Sequence, residues 1–132
     1  MRIPKYAGTP TDQRIEFRPP DATCNVYLAL AAQLMAGIDG IDKKIDPTQA
    51  GFGPIDTNVF AWSEDERSKI QALPTSLGEA LEALRMDHDF LLAGGVMDEV
   101  FIRDWIDYKT TREHMQVRDR PHPYEMELYF DV

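Results

Sequence analysis

Cysteine is nearly absent from this chain of 132 residues: Cys24 stands alone, so no internal disulfide forms, and a reducing compartment, the cytoplasm, is the expectation. A long hydrophobic run is missing too. The longest apolar stretch, Val26 to Ile38, is interrupted by Gln33 and Gly37 and falls short of the roughly 20 residues a membrane helix needs. Positive charge is scarce, with 14 Lys plus Arg against 23 Asp plus Glu and a formal charge of −9. That balance argues against a nucleic-acid-binding surface, whose affinity comes from clustered cations that release counterions. The opening Met1-Arg2-Ile3-Pro4 leads straight into polar, proline-containing sequence, as expected of a chain without a signal peptide. Histidine is limited to His88, His114 and His122, and no two of them have the spacing of a metal pair on one helix or of a zinc signature. Neither Gly51-Phe52-Gly53 nor Gly94-Gly95 has the context of a phosphate-cradling loop. What is present is the composition of an ordinary globular domain, 43% hydrophobic, long enough for one modest core.

The charge is unevenly spread. Residues 1–20 carry Arg2, Lys5, Arg14 and Arg18 against Asp12 and Glu16, a net of +2, so the remaining residues hold −11. From Gln13 to Arg18 polar and apolar residues alternate, which predicts a short strand with Ile15 and Phe17 on one side and Arg14, Glu16 and Arg18 on the other. Pro19-Pro20 stops it.

Helical spacing dominates the rest. Val26, Leu30, Leu34, Ile38, Ile41 and Ile45 recur every three or four residues behind Asn25, a good N-cap, and predict a helix in which Gly37 and Gly40 mark close packing or a bend. Residues 46–63, punctuated by Pro47, Gly51, Gly53 and Pro54, read as a long loop. Ser63 with Glu66, and Ser76 with Glu79, are spaced as helix starts, the first over Glu64 to Gln71 and the second through Leu84 or Arg85, with a break before Asp87 to Leu92. Asp98 to about Met115 predicts a last amphipathic helix, with Phe101, Trp105 and Tyr108 on a stripe read as core and Ile102 and Ile106 beside it. The terminal segment from Tyr124 fits either an alternating strand or a short helix begun by a proline.

Among groups that carry chemistry, Arg14, Glu16 and Arg18 stand out. Two guanidiniums grip carboxylate or phosphate oxygens in a fixed fork, and a carboxylate between them is a donor for a divalent cation. That would be half of a phosphoryl-transfer site. The plainer reading of the pattern alone is a solvated sheet face held by ion pairs worth less than about 1 kcal/mol each. Cys24, bordering an apolar helix start, reads as a small buried hydrophobe rather than a nucleophile.

Several blocks in order, Arg2-Ile-Pro4, Arg14-Ile-Glu-Phe-Arg18, Pro20-Asp21, Asn25 through Ile41, Leu91-Leu-Ala-Gly-Gly-Val96 and Pro121 through Val132, resemble the C-terminal part of the catalytic domain of type I glutamine synthetase over nearly the whole chain. The resemblance implies an α+β fragment, mostly helical, with one or two short strands from the active-site sheet. It implies a ligase that joins L-glutamate and ammonia using ATP and Mg2+ or Mn2+, through γ-glutamyl phosphate, between subunits of a double-ring oligomer. By the same resemblance Glu16 is a metal ligand, and Arg18 lies beside the substrate and the transferred phosphoryl group. Arg2 lies near the ATP γ-phosphate and Arg14 near the nucleotide phosphates. The segment 121–132 would sit at a subunit contact reaching into the opposite ring.

Departures from the family pattern carry information. A lysine usual a few residues before the strand is replaced by Thr11 or its neighbours, and Asn58-Val59-Phe60 aligns with a loop that in many bacterial members carries an adenylylated tyrosine. Residues 1–132 would be the C-terminal segment of the catalytic domain, without the family's N-terminal β-grasp domain and first catalytic part. The chain alone is therefore expected to be inactive. The competing reading is a non-catalytic module that docks on synthetase subunits.

Overall fold

The computed structural model describes Pro4, residues 8–70 and residues 72–131. Its elements are helical. Helix α1 spans Val26–Asp42, with the Asn25 side chain accepting from the amides of Tyr27 and Leu28. A 3-10 turn, Val59–Ala61, lies inside the long loop and precedes α2, Glu64–Arg67. Helix α3 covers Leu77–Met86, a kinked 3-10 segment follows over Asp89–Gly95, and α4 covers Glu99–Lys109. A π turn, Thr110–His114, links α4 to α5, Met115–Arg118, and α6 covers Pro123–Tyr129.

The local signals act as their chemistry requires. Ser63 and Glu66 form a complete capping box, whereas at α3 the Glu79 carboxylate reaches past Ser76 to the amide and hydroxyl of Thr75. Hydrogen bonds from the Ser63 hydroxyl and amide hold Glu66 below the ordinary carboxylate range, and those from the Thr75 amide and hydroxyl do the same for Glu79. Both charges also lie in a first helical turn, where the helix dipole favours them. Gly94 and Gly95 take positive φ of 74° and 67°, which ends the 3-10 segment with a backbone that other residues resist.

Several expectations are corrected. No strand forms among the described residues: Glu16 makes an isolated bridge, because alternation supplies only one side of a ladder. The terminal segment, open between strand and helix in the sequence, is the proline-begun helix, because Pro123 at its first turn and the His122 cap satisfy a helix N-terminus. The acidic helix stops at Arg67, short of Gln71. Gly37 and Gly40 mark no close packing, since a Cβ added at either meets nothing within 4 Å, and α1 runs through both.

The core is small and belongs to the second half of the chain. Leu81 of α3, Leu91 of the 3-10 segment and Ile102 and Ile106 of α4 are buried, with Ala32 and Met35 of α1 packed against them. The aromatic stripe of α4 lies outside it. Phe101 and Tyr108 are exposed and Trp105 is half-buried, stacked on Phe101 with centroids 6.4 Å apart and covered by Lys109 at 5.0 Å. The isoleucines beside that stripe are the core residues, for α4 turns its narrow β-branched edge inward. The chain's accessible surface is 11479 Å², against about 7,000 Å² for a compact monomer of 15.1 kDa.

Candidate functional site

The charged cluster sits on the extended segment between the turn at Thr9–Asp12 and the prolines. Arg18 Nη2 donates to Glu16 Oε2 at 2.7 Å, and Arg14 Nε lies 3.7 Å from Glu16 Oε1. The alternation along the extended backbone puts the three side chains on one side, so the two guanidiniums bracket one carboxylate. Shelter decreases outward. The Glu16 side chain is 17% exposed, that of Arg14 54% and that of Arg18 77%, so the acid is held at the base and the arginines face outward. A guanidinium has five N–H donors, and at Arg18 the bond to one Glu16 oxygen leaves capacity for an oxyanion. The arrangement suits the grip of a phosphate or carboxylate beside an oxygen donor for a hard cation.

The structure thus brings together Arg14, Glu16 and Arg18. Arg2 lies outside the described residues. Glu16 fits a divalent ion as one ligand, but among the described residues no group of three or more His, Cys, Asp or Glu is gathered to hold a metal. The histidines have structural tasks. His88 bridges the Leu84 carbonyl and the Glu99 carboxylate, at 2.9 and 3.1 Å. The hydrogen bond to Glu99, then that to the Leu84 carbonyl, raises its pKa above the ordinary imidazole value. His122 caps α6, its Nδ1 accepting from the Tyr124 amide. Cys24 is exposed rather than buried, because it precedes α1 at the end that no core residue covers.

Set against known proteins, the cluster acquires a context. A family model described as glutamine synthetase, catalytic domain, matches residues 1–129. The chain belongs to the glutamine synthetase family. A glutamine synthetase of Nostoc sp. is 51% identical over 132 residues, one of Streptomyces filamentosus 46% and one of Aquifex aeolicus 48%, each alignment covering 100% of this chain. The chain spans 27% of the length of each of these relatives. No helix among the described residues is long and apolar enough to cross a membrane.

Two features of this chain are not legible in its sequence. One is the contact between Gly78 and the His114 ring, which joins elements 36 positions apart and has no local signature. The other is the direction of α1. Its apolar residues at helical spacing are visible in the sequence, but Leu30, Leu34 and Ile38 are exposed, whereas Ala32 and Met35 face the core. The signal that could have revealed this is the lack of any charge from Val26 to Ile38, which marks a helix apolar on every side.

Proposed function

We propose that this chain supplies the phosphate-facing side of a glutamine synthetase active site. The reaction joins ammonia to L-glutamate at the expense of ATP, through γ-glutamyl phosphate, and releases L-glutamine, ADP and phosphate. The observation that carries this reading is the sheltered Glu16 carboxylate bracketed by the Arg14 and Arg18 guanidiniums.

Phosphoryl transfer depends chiefly on alignment and on neutralising charge over the transferred oxygens. Arg18, the outermost of the three, would steady the glutamate and the transferred group. Arg14 would hold the nucleotide phosphates, with Arg2 near the γ-phosphate. Glu16 would do two things: fix both arginines in orientation and offer an oxygen to the divalent ion. Mg2+ or Mn2+, when bound, shields the phosphate oxygens and makes the phosphorus more open to attack by the glutamate carboxylate. A hard cation takes six or more oxygen ligands, so Glu16 shares it with phosphate, water and groups beyond the described residues.

In this proposal residues 1–132 form the C-terminal segment of the catalytic domain of a cytoplasmic, double-ring enzyme. Residues 121–132 lie at a contact with another synthetase subunit. Alone, the chain yields no γ-glutamyl hydroxamate. The deciding experiment replaces the matching quarter of the Nostoc relative with this chain. The chimera is expected to make glutamine, with Arg18→Ala lowering kcat by about 100-fold, the scale of losing one charge-stabilising donor. An inactive chimera that still folds and assembles overturns the proposal.

A further inference from the structure

Both ring nitrogens of His88 meet acceptors. Nδ1 lies 2.9 Å from the carbonyl oxygen of Leu84, in the last turn of α3, and Nε2 lies 3.1 Å from Oε2 of Glu99, the first residue of α4. A carbonyl and an ionised carboxylate accept and do not donate, whereas a neutral imidazole has one N–H and one lone pair. Making both bonds therefore takes two N–H groups, the imidazolium form. His122 shows the other arrangement, since its Nδ1 accepts from the Tyr124 amide and so carries no proton. The two sides of the Glu99 contact differ in freedom. The His88 side chain is only 19% exposed and that of Glu99 68%, so the carboxylate is the side that can turn to water.

The charges around this joint favour the positive ring. On α3 the Arg85 carbonyl adds to the pull on the proton, while the Arg85 side chain lies 3.5 Å from Glu82. Asp87 and Asp89 flank His88 in the chain, and both act on Lys43, just past the end of α1, whose ammonium pairs with Asp39 at 2.9 Å. On α4 Asp98 accepts from the Phe101 amide as the N-cap, beside Glu99. Carboxylates thus outnumber Lys43 and Arg85 about the joint, a surplus that favours imidazolium. The backbone of His88 carries the state of the ring inward. Its carbonyl accepts from the Leu91 amide at 2.8 Å, at the start of the 3-10 segment, and Leu91 is buried with Leu81, Ile102 and Ile106 against Ala32 and Met35 of α1.

We infer that His88 is a proton-operated latch on the joint of α3, the 3-10 segment and α4: protonated, it holds Glu99 and seats Leu91, and on losing the Nε2 proton it releases the carboxylate and loosens the segment. The step is an acid dissociation. The Nε2 proton passes to solvent and leaves a lone pair facing the Glu99 carboxylate; the two repel, and Glu99 turns to water. Nδ1 keeps its proton, because without it the Leu84 carbonyl, at a helix end, would lose its partner. The direction is fixed. Hydrogen bonds to Glu99 and then to Leu84 raise the folded pKa above 6.5, so the latch is shut below that value and opens as pH rises through the raised one. Neither the family assignment nor the roles proposed for Arg14, Glu16 and Arg18 enter into it.

The test follows the imidazole nitrogens of the full 132-residue chain by nitrogen NMR, from acid pH to well above 6.5. The expected result is two ring N–H groups on His88 still present at pH 6.5, then loss of the Nε2 proton alone, with the Leu91 and Ile102 amide signals changing at the same midpoint. Exchange protection of those two amides, corrected for the base-catalysed intrinsic rate, should fall by about tenfold for each unit by which the folded pKa exceeds the unfolded one. In Glu99→Gln the fall should be smaller, because a side-chain amide accepts from imidazolium and, turned over, donates to the neutral ring. Glu99→Ala should show at acid pH the lower protection that the parent reaches only at alkaline pH. Both substitutions stand at an exposed position, and the titration of the parent needs neither. A His88 mostly neutral at pH 6.5 overturns the inference, as does loss of the Nδ1 proton in place of that on Nε2. So does protection that is unchanged across the titration, or that falls equally in the parent and in Glu99→Gln.

Discussion

The Cα of Gly78 faces the His114 imidazole so closely that a Cβ added there would stand 2.7 Å from Cε1 and 2.9 Å from Nε2. The π turn over Thr110–His114 widens the helix and sets this ring against the first turn of α3, so the contact holds the two long elements of the core half together. Gly78→Ala should therefore destabilise the chain. Overpacking costs about 1–3 kcal/mol, while alanine in place of glycine in a helix returns up to about 1 kcal/mol. The expected net change is a lower denaturant midpoint, restored in part by adding His114→Ala. A Gly78→Ala variant at least as stable as the parent would mean that the His114 ring, whose tip atoms make the contact, swings aside at little cost.

His88 ties the end of α3 to the start of α4 through Leu84 and Glu99. Its pKa is raised in the folded chain, chiefly by the Glu99 hydrogen bond, so the folded state binds the proton more tightly than the unfolded one. The stabilisation is complete below the ordinary value of 6.5 and fades as pH rises through the raised folded value. Urea midpoints measured across this window should fall with rising pH in the parent. In Glu99→Gln that fall should be reduced. An identical slope in the two proteins would remove His88 from the account.

The core of α4 is its isoleucine edge. Ile106→Ala should cost about 2–5 kcal/mol, the range for truncating a buried aliphatic side chain. Trp105→Ala, at a half-buried position, should cost less despite removing more atoms. Thermal melts of both variants decide the order, and a larger loss for Trp105 would mean that the aromatic stripe is the core after all.

Phe60 is 85% exposed on a 3-10 turn capped by Asn58 and has no hydroxyl to accept a nucleotidyl group. Incubation with ATP and a bacterial adenylyltransferase should leave its peptide unmodified in mass spectrometry. Phe60→Tyr tests whether the turn is otherwise a competent acceptor. An adduct on the parent peptide would contradict the alignment of this loop.

Much of the helical layout was legible because it depends on neighbours in sequence. Asn25, Ser63 and Ser76 each cap the helix that their position announces, since an N-cap needs only a side-chain oxygen two or three residues before an orphan amide. The charged cluster was legible too, as alternation along an extended backbone places Arg14, Glu16 and Arg18 together whether or not a strand forms. The strand itself was not, because a ladder needs a partner from elsewhere and alternation supplies only one side of it.

The sequence by itself determined where helices begin, which charges stand together and, through its ordered blocks, the family. Only the tertiary structure decided which apolar residues are core. Periodicity marks a stripe but not what lies against it, so Phe101, Trp105 and Tyr108 were indistinguishable from Ile102 and Ile106 until α3 was seen to pack on the isoleucine edge. The same holds for α1. Its spacing is that of a buried helix, and the fold covers only its inner side, because burial is a relation between distant segments and one helix cannot specify its own neighbours.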